Sequence, residues 1–495
     1  MRTVFLTGAT GFLGHYVLRD LLRQDDVRVR VLLSPRLEKT QARLKRLLGD
    51  IGLDLDAANT SHRVEFVEGR LPDALDDDSL RGVHTILHVA ASTRFRSNRE
   101  GDPARSNVEG TAALLDAARI TGVQKFVFVS TAYVGGLTSG CLPESPAPAC
   151  APDANDYERS KFEAEKRVLQ WSAPDRQVRI VRPSILIGDE KYGRATSFGG
   201  IYTLARAVEL LARAADQDAS IDRRAIPLRI VGSPQAFVNV APVCWASRHL
   251  THIALTDAPT GAVINLVNPS PPTSDDVRRW LEDVFDVGGG RFTQETWPWT
   301  DTSAWEDAFY AAGEQVRAYL GRDVTFETTY LASVGESHPL VDATHFQKAV
   351  RFARDARWGR SSTRVAGAED SHFDPARYFE EFVPSRLPQS SVASIKSFSA
   401  VVRYVIEGLR NGEWVCRYNA GRLMETHRGP NTLNEDFGFR IQRDAFERLV
   451  TGRKSLQSAY FQAEAEIFGN TLMALKMTPI IDTFIREHPL PAPQG

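Results

Sequence analysis

The stretch TGATGFLG, residues 7–14, constrains the fold more than any other part of the chain. It follows the apolar run TVFLT (3–7) at once and leads directly into helical periodicity through YVLRDLLRQ. A side chain at Gly8 or Gly11 would keep a diphosphate away from the backbone N–H groups of the helix N-terminus. Gly14 lets helix and strand pack closely. Further strand candidates follow at 27–33, 63–69, 85–91, 125–130 and 178–188, with helical stretches such as NVEGTAALLDAARITG between several of them. That alternation predicts an α/β fold, a doubly wound parallel Rossmann sheet. The later candidates LRIVG (228–232) and AVINLVN (262–268) are expected to build a smaller substrate lobe.

At 495 residues the chain exceeds one compact core and predicts several domains. A break is expected near 289–306, a mostly helical connecting region over 291–385, and a linker in FVPSRLPQSSVAS (382–394). The formal charge of −2 supplies no general attraction to nucleic acid or anionic membrane. The four cysteines lack any CxxC pairing, which fits a reducing compartment. No apolar run is long enough to span a membrane, and strand residues from Thr3 leave no room for a signal peptide. A cytoplasmic protein without integral membrane association is expected. His249 and His252 could share a helix face, but no carboxylate or cysteine partner is evident and no metal is expected.

The end of the second strand bears on cofactor choice. An acid there usually reads a free ribose 2′-hydroxyl, and arginine a 2′-phosphate. SPRLEKTQARLKR offers no acid at that turn and supplies Arg36, Lys39 and Arg43. NADPH (NADP+) is therefore expected; the alternative is a basic, solvated helix start. In DYERSKFEAEK, Tyr157 and Lys161 lie four apart on one helical face. An ammonium beside a phenol favours its ionised form, making Tyr157 a better proton donor to a carbonyl receiving hydride. KFVFVSTAYV ends in Ser130 and Thr131, where a hydroxyl at the carboxyl edge of a sheet could polarise the same carbonyl.

Together TGATGFLG, HVAA (88–91), NVEGT (107–111), VSTAYV, YERSK and RPSILIGD (182–189) resemble the extended short-chain dehydrogenases/reductases. NVEGT, VSTAYV and RPSILIGD most resemble the male-sterility group, which contains fatty acyl-CoA reductases and thioester reductase domains. The resemblance covers residues 1–290, read as one domain with its substrate lobe. It implies Thr131, Tyr157 and Lys161 as the catalytic set, with Ser130 the lesser hydroxyl. It implies cofactor contacts from Gly8, Thr10, Gly11, Phe12, Leu13, Gly14, Ala90, Tyr157, Lys161, Pro183 and Ser184, and a place for Tyr202 near the substrate entrance or in packing. Two departures stand out. Ser34 replaces the arginine often found after the second strand, so Arg36 would substitute, and Gly69-Arg70-Leu71 replaces the usual GDL.

From Ile395, apolar residues at 398, 401, 402, 405 and 409 predict an amphipathic helix ending near Asn411. Strands are expected in EWVCRYN, RLMETHRG and EDFGFRIQ, then a helix in RDAFERLVTG. YFQAEAEIFGN alternates, with Glu464 and Glu466 outward and Ala463, Ala465 and Ile467 inward. Residues 395–490 resemble sterol carrier protein-like domains, most closely between Asp444 and Met477. That resemblance implies an α+β module enclosing an apolar tunnel for a lipid; the alternative is a packed domain serving as a lid or dimer contact. The combined expectation is NADPH-dependent reduction of a lipophilic acyl thioester, fatty acyl-CoA or acyl-carrier protein, to aldehyde or alcohol. Two alternatives stay open. One is an NAD(P)-dependent alcohol/ketone dehydrogenase or sugar-nucleotide epimerase, the other a non-catalytic lipid carrier whose nucleotide domain senses redox state.

Overall fold

The computed structural model describes residues 1–35, 37–73, 75, 77–98, 100–136, 138–256, 263–311, 320–335, 341–360, 373–409, 411–429, 433–461 and 464–491. Seven strands form one sheet: β1 (Arg2–Thr7), β2 (Val27–Leu33), β3 (Val64–Glu68), β4 (Thr85–His88), β5 (Lys125–Val129), β6 (Gln177–Pro183) and β7 (Val263–Leu266). Their order is β7-β6-β5-β4-β1-β2-β3, and every neighbouring pair is parallel. The central strands are mostly apolar and buried nearly end to end because both faces are covered. Helix α1 (Phe12–Leu22) and the helix Val243–Leu255 pack with one set of strand side chains. Helices α3 (Gly110–Thr121) and α4 (Asp156–Trp171) pack with the other, while α2 (Leu37–Asp50) follows β2. The chain leaves β1 toward β2 and β3 and returns on its other side at β4, so a ligand crevice opens at the carboxyl ends of β1 and β4.

AVINLVN was expected in the substrate lobe. Its described residues instead form β7, the edge of the main sheet, pairing with β6 from Val263↔Ile180 to Leu266↔Pro183. Its four residues are buried, as a covered parallel edge requires.

The chain divides into two compact units that interleave along the sequence, where consecutive blocks were expected. The first comprises residues 1–197, 234–277 and 321–349. Part of the region expected to be a helical connection belongs to it: the strand Asp323–Phe326 pairs in parallel with Ser139–Leu142. The second comprises 198–233, 278–320 and 350–495. It contains α5 (Ile201–Gln217), a two-stranded sheet of Leu228–Val231 with Gly290–Thr293, the helix Ala304–Tyr310 and the C-terminal domain. Residues 382–394 are not an open linker. They turn through Val383–Arg386 and two short 3-10 segments, bury Val383, Leu387 and Val392, and tie Ser390 to Glu487 at 2.5 Å.

The C-terminal sheet has five strands, β8 (Ala400–Glu407), β9 (Glu413–Asn419), β10 (Arg422–Arg428), β11 (Phe437–Gln442) and β12 (Ala465–Gly469), in the order β10-β9-β8-β11-β12. β8 and β11 are parallel and the other pairs antiparallel. The helix expected from Ile395 is β8 instead. Ala400, Val402, Tyr404 and Ile406 are buried and their neighbours half-buried, a period of two. The β-branched run Val401, Val402, Val405, Ile406 suits a strand with partners on both sides. Helices α6 (Arg443–Val450), α7 (Leu456–Phe461) and α8 (Thr471–Glu487) complete the domain. Ala465 and Ile467 are buried; Glu464 takes Lys454 and Arg448, and Glu466 takes Arg360. Ala463 lies outside the described residues.

Candidate active site

The glycine turn is shaped by backbone contact on all sides. Gly8 has φ +77°, and a Cβ there would lie 2.6 Å from the Ala90 nitrogen; one on Gly14 would lie 2.0 Å from the Gly8 carbonyl oxygen. Gly11 N–H donates to that carbonyl at 2.9 Å and caps α1 without a side-chain acceptor, so the first N–H groups of the helix stay available to an anion. Thr10 and Phe12 are half-buried, Leu13 is buried, and Ala90 N–H is held by the Thr7 hydroxyl at 3.1 Å. These residues fit a dinucleotide diphosphate. Arg36 lies outside the described residues; Lys39 and Arg43 are exposed on α2. The positive charge of Arg43 reaches His15, whose ring Nδ1–H donates to the Gly11 carbonyl (2.7 Å) and whose pKa falls to about 4, chiefly by burial.

Across the crevice, the Thr131 and Tyr157 hydroxyls share a hydrogen bond. Tyr157 stands in the first turn of α4, whose start Asn155 and Glu158 close with a capping box. Its ring stacks at 6.4 Å on Phe95, from a loop that Asp156 holds through Ser97. One turn on, Lys161 is buried, donates to the Val129 carbonyl at 2.7 Å and lies 4.6 Å above the Phe128 ring. Burial lowers its pKa to about 7, against the pull of Glu165.

The expectation that Lys161 depresses the Tyr157 pKa is not met in this state. The phenol is pushed up to about 12, mainly by burial and further by Glu158, with only the Thr131 bond opposing. The ammonium is engaged with Val129 instead. Ser130 and Ser184 are buried with hydroxyls that have no partner among the described residues. They sit at adjacent strand ends, since Ser130 N–H donates to Val181 and Ala132 N–H to Pro183. Unpaired buried hydroxyls at a crevice are the polar groups a nicotinamide or substrate would satisfy. Tyr202 is fully buried against Phe198, 5.6 Å away, a packing role.

Sequence reasoning missed a buried relay joining the two halves. His88 contacts Thr7 (2.7 Å) and Thr111 (3.2 Å); Thr111 donates to Asn107; Asn107 donates to Ser160, which donates to the Tyr157 carbonyl. His88 is neutral, its pKa held at about 3 by burial and then by Lys161. HVAA carries His88 and NVEGT carries Asn107 and Thr111, motifs without a stated role in the sequence reading.

Residues 6–228 match the male sterility protein family of NAD-binding domains, and residues 381–482 the SCP-2 sterol transfer family. The chain joins a male sterility domain to an SCP-2 domain. The male sterility domain is an oxidoreductase domain for a nicotinamide dinucleotide. Glycine betaine reductase ATRR of Emericella nidulans is 26% identical over 61% of this chain and 23% of its own length. A 4-hydroxy-2-methyl-3-oxo-4-farnesyl-3,4-dihydroquinoline-1-oxide ketoreductase of Stigmatella aurantiaca is 32% identical over 38% of this chain and 51% of its own length. The chain thus spans about half or less of such curated relatives. Among solved structures, the terminal R domain of the myxalamid PKS-NRPS pathway shares the fold, with a TM-score of 0.57 at 22% identity over 72% of this chain and 91% of that one. Among the described residues no helix is long and apolar enough to cross a membrane, and no cluster of His, Cys, Asp and Glu could hold a metal ion.

Proposed function

We propose that this chain reduces a lipophilic acyl thioester with NADPH, and that its SCP-2 domain holds the acyl chain while the male sterility domain does the chemistry. The observation that carries the reading is the hydrogen-bonded Thr131–Tyr157 pair, with Lys161 buried one helical turn on, in one chain with a lipid-transfer family domain. The glycine turn with Ala90 would bind the diphosphate, and Pro183 and Ser184 would border the nicotinamide. The absence of an acid in the last turn of β2, with Arg43, Lys39 and Arg36 nearby in sequence, supports the phosphorylated dinucleotide.

When bound, the cofactor supplies a hydride to the thioester carbonyl carbon. Thr131 and Tyr157 donate to the carbonyl oxygen as charge develops on it, and Tyr157 passes its proton to that oxygen. Lys161, one helical turn on from Tyr157, would stabilise the tyrosinate left behind once a substrate or ribose draws its ammonium from Val129. The hemithioacetal then breaks its C–S bond, the thiol leaves with a proton, and the aldehyde remains. The carrier is CoA or a carrier protein.

A ketone-reducing reading of the same residues is supported by the ketoreductase relative. Oxidation of NADPH, and separately NADH, by acyl-CoAs, ketosteroids and nucleotide sugars separates the readings. Turnover with long acyl-CoAs and NADPH is expected; turnover with ketones alone would replace the thioester assignment.

A further inference from the structure

The second compact unit buries a guanidinium that nothing described neutralises. Arg206, in the second turn of α5, is 6% exposed, and its Nε and Nη1 have no hydrogen-bond partner among the described residues. Its guanidinium lies 4.1 Å from the ring centroid of Tyr460 in α7, whose hydroxyl accepts from it. The acid one turn on is committed elsewhere: Glu209 takes Arg213 at 2.9 Å and the Trp358 indole N–H at 2.7 Å. Arginine cannot escape burial by losing its proton, and stacking on a phenol replaces only part of its hydration. A buried, permanently charged fork with open donors is therefore a site that wants an anion.

The surroundings restrict which anion. Leu456 and Ala459, beside Tyr460 in α7, are fully buried, so the helix that carries the stacked ring is apolar around it. With Arg213 already paired to Glu209, the Arg206 guanidinium offers one positive charge to match one negative charge. That suits a carboxylate better than a doubly charged phosphate.

We infer that Arg206, stacked on Tyr460, is the carboxylate anchor of a fatty-acid site in which α5 of the reductase chain reads the headgroup of a lipid held by the SCP-2 domain. The inference rests on the lipid-holding reading above and adds a headgroup selectivity that reading does not contain. A free acid seated there is the hydrolysed counterpart of the proposed substrate and would occupy the domain in competition with it.

The test uses the full-length protein with cis-parinaric acid and its methyl ester, by fluorescence titration, in wild type and Arg206→Met. Wild type should bind the acid about tenfold or more tightly than the ester, the scale of one charge-assisted contact. R206M should bring the acid down to the ester's level. Undiminished acid binding in R206M, or equal binding of acid and ester by wild type, overturns the anchor and leaves the lipid-holding reading standing. Failure of wild type to bind either probe overturns both. Should R206M not fold, wild type alone decides: dodecanoate should raise its melting temperature more than dodecanol does, and equal shifts overturn the anchor.

Discussion

The crevice at β1 and β4 and the interior of the SCP-2 domain satisfy their buried groups in opposite ways. At the crevice, buried polar atoms are left open or perturbed: Ser130 and Ser184 without partners, Lys161 near neutrality, His88 held neutral. In the C-terminal core, aromatic rings close on one another: Phe379 lies 4.9–5.4 Å from Tyr404, Trp414 and Phe446. Tyr404 and Tyr418 bond to each other, and burial pushes the Cys416 thiol up to about 12. The first region leaves polar groups open to a ligand; the second closes its aromatic core on itself, with open donors on Arg206 where it stacks on Tyr460. The difference teaches where to look for chemistry and where for shape.

Tyr157→Phe should break the first region alone. It deletes the proton donor while keeping the ring against Phe95, so turnover should fall by roughly 10²–10⁴. Dinucleotide affinity and lipid binding by the C-terminal domain should persist, as read by fluorescence titration. A variant keeping half the activity removes Tyr157 from the catalytic role.

Gly14→Ala sharpens the contrast between a constrained and a free glycine. Its Cβ would meet Gly8 backbone, where no side chain can yield, so helix α1 must shift at a cost of about 1–3 kcal/mol. Lower thermal stability and weaker cofactor binding are expected. Gly49→Ala in α2 meets nothing within 4 Å and should stabilise by roughly 0.5–1 kcal/mol.

The two regions should also answer acid in opposite directions. His15 and His88 have folded pKa values of about 4 and about 3, below the ordinary 6.5, so the unfolded chain takes up their protons first. Their contribution is present above 6.5 and is lost as pH falls through that window. Asp482, which accepts from Leu456 N–H at 2.6 Å, is raised by burial from 3.8 to about 6. Its contribution is present below 3.8 and is lost as pH rises through about 6. Between pH 4 and 6, hydrogen exchange should report loosening around α1 and β4 on acidification and tightening around α7 and α8. Asp482→Asn should abolish only the second trend.

The crevice was legible in the sequence because phosphate approach demands glycine at set spacings, and because tyrosine and lysine must share a helix face. The relay through His88, Asn107 and Ser160 was not, since pairing among residues far apart in sequence has no local signature. β8 was read as a helix because Phe398, Val401, Val402 and Val405 also fit a helical period. Only pairing to β9 and β11 decides between the periods. AVINLVN was placed in the wrong sheet for the same reason, as an apolar strand does not name its neighbour.

The account stands most directly on chain-length dependence. Ala465, fully buried at the start of β12, offers a place to fill the SCP-2 interior without adding charge. The measurement is NADPH oxidation by Ala465→Trp and wild type across short and long acyl-CoAs, with circular dichroism confirming the fold. The account predicts a raised KM for long chains, little change for short ones, and kcat at saturation preserved, because Thr131, Tyr157 and Lys161 belong to the other unit. Equal losses for short and long substrates would contradict it and make the SCP-2 domain a structural partner of the reductase.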